Sequence, residues 1–152
     1  MRCSGLRGKA FYRCTVCNDI HYGNIAPKIC PTCSSKDAYV HIAEREARVI
    51  LKFLKIEEGK KFNENEVLKT FEDFTKSKDF TLNADKERIK LIVQGVLEHE
   101  EQYGLKYCPC RMTSGNFDED LSLICPCNFK VQNNWKEIGE CWCGLFIKRK
   151  EY

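Results

Sequence analysis

Between residues 42 and 104 the apolar side chains recur at helical spacing, and outside that stretch they do not. Ala43, Ala47, Ile50, Leu51 and Leu54 fall on one face of a first helix, with Gly59 soon after as its stop. Asn63 can cap a second helix, in which Val67, Leu68, Phe71 and Phe74 share a face. Asn83 can cap a third, with Ile89, Ile92, Val93, Val96 and Tyr103 inward and Gly104 as the C-terminal break. That third helix delivers the chain into Cys108. Residues 9–41 and 105–152 lack this period and carry Gly, Pro, aromatic residues and closely paired cysteines instead. The pattern predicts a small irregular or β module over residues 1–41 and an α-rich domain over 42–152.

Composition narrows the class. A chain of 152 residues fits one ordinary domain, or a small domain plus a metal-held module. Hydrophobic residues make up 43% and charged residues 31%, as in a soluble globular protein. A net charge of +3, with Lys and Arg interleaved among Glu and Asp, gives no argument for a nucleic-acid partner. No apolar run approaches a membrane span, and no signal-peptide core follows Met1-Arg2-Cys3-Ser4-Gly5, so a cytoplasmic protein without a membrane partner is expected.

Eleven cysteines change the picture. Disulfides staple distant segments of secreted chains, whereas these thiols come in close pairs and the middle of the chain has none, which favours metal ligation. Cys14-Thr15-Val16-Cys17 and Cys30-Pro31-Thr32-Cys33 are two Cys-x-x-Cys turns separated by twelve residues. Each turn aims two thiolates at one ion, and together Cys14, Cys17, Cys30 and Cys33 close a tetrahedral four-cysteine site. Spacing alone leaves iron and zinc open. A module this small needs the metal for much of its stability.

Three Cys-x-Cys pairs follow: Cys108-Pro109-Cys110, Cys125-Pro126-Cys127 and Cys141-Trp142-Cys143. Six thiols are two more than a four-iron cluster takes as ligands, so a spare dithiol would sit beside the cluster. Cys3 is the odd cysteine and receives no role.

The segment from Tyr12-Arg13-Cys14 to Cys30-Pro31-Thr32-Cys33, with Tyr22 and Tyr39 nearby, resembles rubredoxin, which implies one iron in the four-cysteine site. Rubredoxins place glycine after each Cys-x-x-Cys, where the backbone turns left-handed; this chain has Asn18 and Ser34. From Ile89 to Phe146 the three ordered pairs, with Arg111 after the first and Gly144-Leu145-Phe146 after the last, resemble the catalytic subunit of ferredoxin:thioredoxin reductase. The composite resembles the rubredoxin-fused ferredoxin:disulfide reductases. The resemblance implies an α-rich catalytic domain around a [4Fe-4S] cluster, ligated by Cys108, Cys125, Cys127 and Cys141. It makes Cys110 and Cys143 the redox-active disulfide, Cys110 outward and Cys143 against the cluster. The implied partners are ferredoxin or a similar one-electron donor, and a thioredoxin-like protein or small disulfide as target. Relay from the rubredoxin-type iron requires the two metal sites to meet within one subunit or across a homodimer.

Several residues carry two readings at this level. Arg111 either lowers the pKa of the neighbouring Cys110 thiol or is a plain surface arginine. The family has histidine between the last two cysteines, where this chain has Trp142; His99 is either a substitute proton source or a core histidine with one partner. The loop 128–140 is enlarged, and its Trp135 either docks a partner or packs. The rival for the whole chain is a zinc-ribbon adaptor whose metal sites are all structural and which catalyses nothing.

Overall fold

The computed structural model describes residues 8–53 and 63–150, and the chain divides into a unit through Lys55 and a second from Ile56. The sequence boundary after residue 41 therefore differs from the structural one, because the first helix belongs with the preceding sheet. Cys3, Leu54 and Gly59 lie outside the described residues.

The first unit is built on strands β1 (Ala10–Cys14), β2 (Ile20–Gly23) and β3 (Tyr39–Ile42), antiparallel in the order β2-β1-β3. Tyr12 stands opposite His21 on one side and His41 on the other, and its ring packs against both imidazoles. The buried cluster at the loop end of this sheet is Cys14, Cys30, Ala38 and Tyr39, with Tyr12, Cys17, Ala26 and Cys33 packed on it. Half of that cluster is sulfur, so little aliphatic burial holds the loops. Helix α1 (Glu44–Ile50) buries Ala47, Val49 and Ile50. It ends earlier than its apolar spacing predicts: Leu51 is already its C-cap and 44% exposed, and Lys52 has left-handed φ 66°.

In the second unit, helix α2 (Glu64–Thr75) begins with a capping box, as Asn63 and Glu66 each accept the other's backbone N–H. It buries Val67, Phe71 and Phe74 as its spacing predicts. Strand β4 (Phe80–Leu82) follows, then helix α3 (Lys86–Tyr103), which buries Ile89, Ile92, Val93 and Val96 and ends at left-handed Gly104. The cap of α3 is Asp85, which accepts from the N–H groups of Glu87 and Arg88. Asn83 is occupied elsewhere: its side chain accepts from Asp85 N and donates to Gly144 O.

Beyond α3 come two short helices, α4 (Phe117–Asp120) and α5 (Asn133–Ile138), and strand β5 (Phe146–Lys148). β5 pairs antiparallel with β4 in a two-stranded sheet that the sequence pattern does not predict. The unit is thus a mixed helical and β structure. Its core is aromatic: Phe71, Phe74, Phe80 and Phe129 all lie edge-on or stacked against Phe146 at 5.1–5.9 Å between ring centroids. Trp135 is buried in the same cluster, 4.6 Å from Phe129, so it is a packing residue rather than a docking contact. Among the described residues no helix is long and apolar enough to cross a membrane.

Candidate functional site

The first unit gathers the sulfurs of Cys14, Cys17, Cys30 and Cys33 within 4.8 Å of one another. Each Cys-x-x-Cys turn closes the same way: Asn18 N donates to Cys14 O at 2.9 Å and Ser34 N to Cys30 O at 2.8 Å. Asn18 and Ser34 sit at φ 65° and 64°, so the left-handed turn that favours glycine is kept without it. Asn18 has compensation, since Arg13, a buried residue, donates to its side-chain oxygen at 3.1 Å.

The four thiols are not equivalent. Burial pushes Cys14 and Cys17 up. Burial also opposes ionisation of Cys30, but the Tyr39 hydroxyl and the backbone amides of Cys33 and Thr32 outweigh it and hold that thiol down at about 6. The Tyr39 hydroxyl lies 2.6 Å from Asp19 Oδ2 and 3.4 Å from Cys30 Sγ, and Thr32 donates to the other Asp19 oxygen. Contact with Ser35 lowers Cys33 as well. A soft cation meets two thiolate-prone sulfurs on the second turn and displaces protons from the first, so its binding strengthens as pH rises.

In the second unit the three Cys-x-Cys pairs are placed by different neighbours. The first leaves α3 through buried Leu105 and Tyr107, with Cys108 N bonded to Leu123 O at 2.8 Å. Pro109 of that pair packs on the helix backbone: a Cβ at Gly95 would lie 2.7 Å from Pro109 Cβ. Behind the pair, the Asp120 carboxylate closes the loop by accepting from Ser114 N and Gly115 N. The second pair is fixed by Cys125 N on Lys106 O at 2.8 Å. The third is held from the start of α3, where Arg88 donates to Cys143 O at 3.1 Å and lies over Gly144, which needs its φ of 75°. Phe146 N donates to Cys141 Sγ at 3.3 Å, so the aromatic core carries a cysteine directly.

The sulfurs of Cys108, Cys110 and Cys143 lie within 4.8 Å of one another. Cys143 is 4% exposed and its Sγ is 3.9 Å from that of Cys108, whereas Cys110 is exposed. Cys141 and Cys125 also act on Cys143, whose thiol is pushed up by hydrogen bonds to Cys108 and Cys141 and by burial. The Cys143 bond in turn holds Cys141 down at about 6. Cys108, Cys125, Cys127 and Cys141 do not form one tight four-sulfur set like that of the first unit. The donors nonetheless suit a multi-iron group: soft, mostly buried thiols, two of them already contacted by amide N–H groups, Cys141 by Phe146 N and Cys127 by Gln132 Nε2.

Two expectations about neighbours change. Arg111 does not activate Cys110: burial and the Cys108 charge raise that thiol, and the guanidinium lies over the Trp142 ring at 2.9 Å and acts on Cys108. His99 is half-buried with Nδ1 3.1 Å from Tyr107 O, its ring edge-on to Tyr103, so it has the single backbone partner of a core histidine. Gly95, Arg88 and Gln132 were not visible as site residues in the sequence. Gly95 alone had a signal, a glycine inside a strong helical pattern.

Residues 57–152 match the family of the ferredoxin thioredoxin reductase catalytic beta chain. Residues 12–40 match the rubredoxin-like domain of rubrerythrin. Curated relatives include the ferredoxin-thioredoxin reductase catalytic chain of Guillardia theta, 31% identical over 62 residues, which are 40% of this chain and 56% of that one. The catalytic chain of Cyanidium caldarium is 33% identical over 60 residues, 38% of this chain and 50% of that one. The chloroplastic chain of Arabidopsis thaliana is 27% identical over 89 residues, 54% of this chain and 55% of that one. The chain spans about half the length of the curated relatives it matches. With the family match covering more than half its length, the chain belongs to the ferredoxin thioredoxin reductase catalytic chain family, and carries a rubredoxin-like domain ahead of the matched region.

Proposed function

We propose that this chain is a ferredoxin-dependent disulfide reductase in which Cys110 and Cys143 are the working dithiol. The observation that carries the reading is one exposed thiol, Cys110, set within 4.8 Å of two buried ones, Cys108 and Cys143. An exposed sulfur can reach a target disulfide, and a buried neighbour can resolve the product.

The exchange balances simply. The Cys110 thiolate attacks a target disulfide, forming a mixed disulfide and releasing one target thiolate. The Cys143 thiolate then attacks Cys110 Sγ, releasing the second target thiolate and leaving a Cys110–Cys143 disulfide. Two electrons from a one-electron donor and two protons restore the dithiol. Cys108, Cys125, Cys127 and Cys141 would hold a [4Fe-4S] cluster, which when bound supplies electrons one at a time. The chain's own part is to bury Cys143, to expose Cys110, and to fix the third pair through Arg88 and Asn83. Targets are thioredoxin-like proteins or small disulfides. Cys14, Cys17, Cys30 and Cys33 would hold one iron that relays electrons from the donor, the role zinc cannot fill.

Anaerobically purified protein is expected to be brown, with about five irons per chain (four in the cluster and one in the four-cysteine site). It should reduce thioredoxin disulfides with ferredoxin as the donor. Cys110→Ser should abolish that reduction with the iron retained, and loss of cluster iron in this variant would reassign the ligands. A colourless protein holding only zinc would leave the structural adaptor as the correct reading. Zinc in place of iron at the four-cysteine site should stop ferredoxin-driven turnover, and an unchanged rate would remove the relay role.

A further inference from the structure

We infer that Gln132 is a positioning residue that ties the second Cys-x-Cys pair to the third. It is a polar side chain only 5% exposed, and both ends of its amide are engaged across the site. Its Nε2 lies 3.5 Å from Cys127 Sγ, and its Oε1 accepts from the backbone N–H of Trp142 at 3.0 Å. Trp142 is the residue between Cys141 and Cys143, so one amide group contacts a sulfur of one pair and the peptide inside the other.

The loop around Gln132 is organised for this task. Gln132 closes a 3-10 turn (Phe129–Val131), donating its N–H to Phe129 O at 3.0 Å, and then serves as the N-cap residue of α5. Phe129 and Trp135, on either side, are locked in the aromatic core. Two residues on, Asn134 Nδ2 donates to Glu140 O and Cys141 O at 3.3 Å each. Two amide side chains, Gln132 at the N-cap of α5 and Asn134 in its first turn, therefore fasten consecutive peptides from Glu140 to Trp142.

The consequence rests on the reading above, in which Cys127 ligates a cluster. An N–H donated to a ligand sulfur stabilises negative charge there and so favours the reduced cluster. Gln132 then does two things: it raises the cluster potential through Cys127, and it fixes the Cys141–Trp142 peptide inside the third pair.

The test compares the full-length anaerobic protein with Gln132→Met, which removes both bonds, and Gln132→Asn, whose amide is drawn back from both partners by one methylene. Voltammetry should give a lower midpoint potential for both variants at wild-type iron content. Hydrogen exchange by mass spectrometry should show the Trp142 amide losing protection in both. Unchanged potential with unchanged iron, or unchanged protection at Trp142, would overturn the inference. Should Gln132→Met fail to assemble, Gln132→Asn decides by the same two readouts. If the wild-type protein binds no iron-sulfur cluster, the proposed function fails first, while the Trp142 exchange still reads the tie.

Discussion

Gly95→Ala sets two opposed effects against each other. Alanine inside a helix is favoured over glycine by about 1 kcal/mol, and α3 is long and regular through this position. Against that gain stands Pro109, whose Cβ and Cγ would lie 2.7 and 3.2 Å from the added methyl. A proline ring is stiff, with its φ fixed. It is also flanked by Cys108, whose N–H is bonded to Leu123 O at 2.8 Å, so retreat strains that anchor. Overpacking of this kind costs about 1–3 kcal/mol. The net expectation is a loss of about 0–2 kcal/mol rather than the ordinary gain, with the Cys108-Pro109-Cys110 turn displaced from α3. Urea unfolding followed by circular dichroism under anaerobic conditions measures the first part. The rate at which a maleimide labels Cys110 measures the second, and it should change. A variant stabilised by about 1 kcal/mol with an unaltered labelling rate would show that Pro109 does not press on the helix, and would refute the reasoning.

Tyr39→Phe removes the hydroxyl beside Cys30 Sγ. The folded pKa of about 6 lies below a free thiol's, so the stabilisation is present at higher pH and fades as pH falls through that value. Without the hydroxyl the thiol rises and protons compete better, so the pH at which the four-cysteine site half-releases its metal should move upward; an unmoved midpoint in a chelator titration would deny Tyr39 this role. Arg88→Met removes the bond to Cys143 O and uncovers Gly144. A stability loss of about 0.5–1.5 kcal/mol is expected, with faster alkylation of Cys143, and a Cys143 that stays as slow as in wild type would show that Arg88 does not shield the inner thiol.

The clustering of the first four cysteines, two of the three helices and their apolar faces were legible because each depends on spacing within a few residues. Asn63 begins α2 as its sequence position implies, and Gly104 ends α3. What could not be read depends on partners far along the chain. Asn83 looks like a cap, but its amide is drawn to Gly144, and Asp85 takes the role. Leu51 fits a helical stripe, yet left-handed Lys52 shows that the helix has already ended. Strands of three residues give no usable alternation, so the β4–β5 pair left no trace. Arg111 stands next to Cys110 in sequence, and adjacency suggested an effect that the Trp142 ring diverts. Neighbouring positions predict turns well and side-chain targets poorly.

The β4–β5 ladder pairs Leu82 with Phe146, about sixty positions apart, and everything that bears the three Cys-x-Cys pairs lies between those strands. Such a closure has high contact order and forms late. Until it does, six thiols stand on an unfinished scaffold, open to air and to stray metal. On the proposed function, cluster assembly is then timed by the folding of this short ladder as well as by the affinity of the sulfurs. Inside the bracket, lengthening is cheap: doubling a closed loop costs about 0.6 kcal/mol. The frame can accept a longer segment such as residues 128–140 while the strands that close it stay fixed.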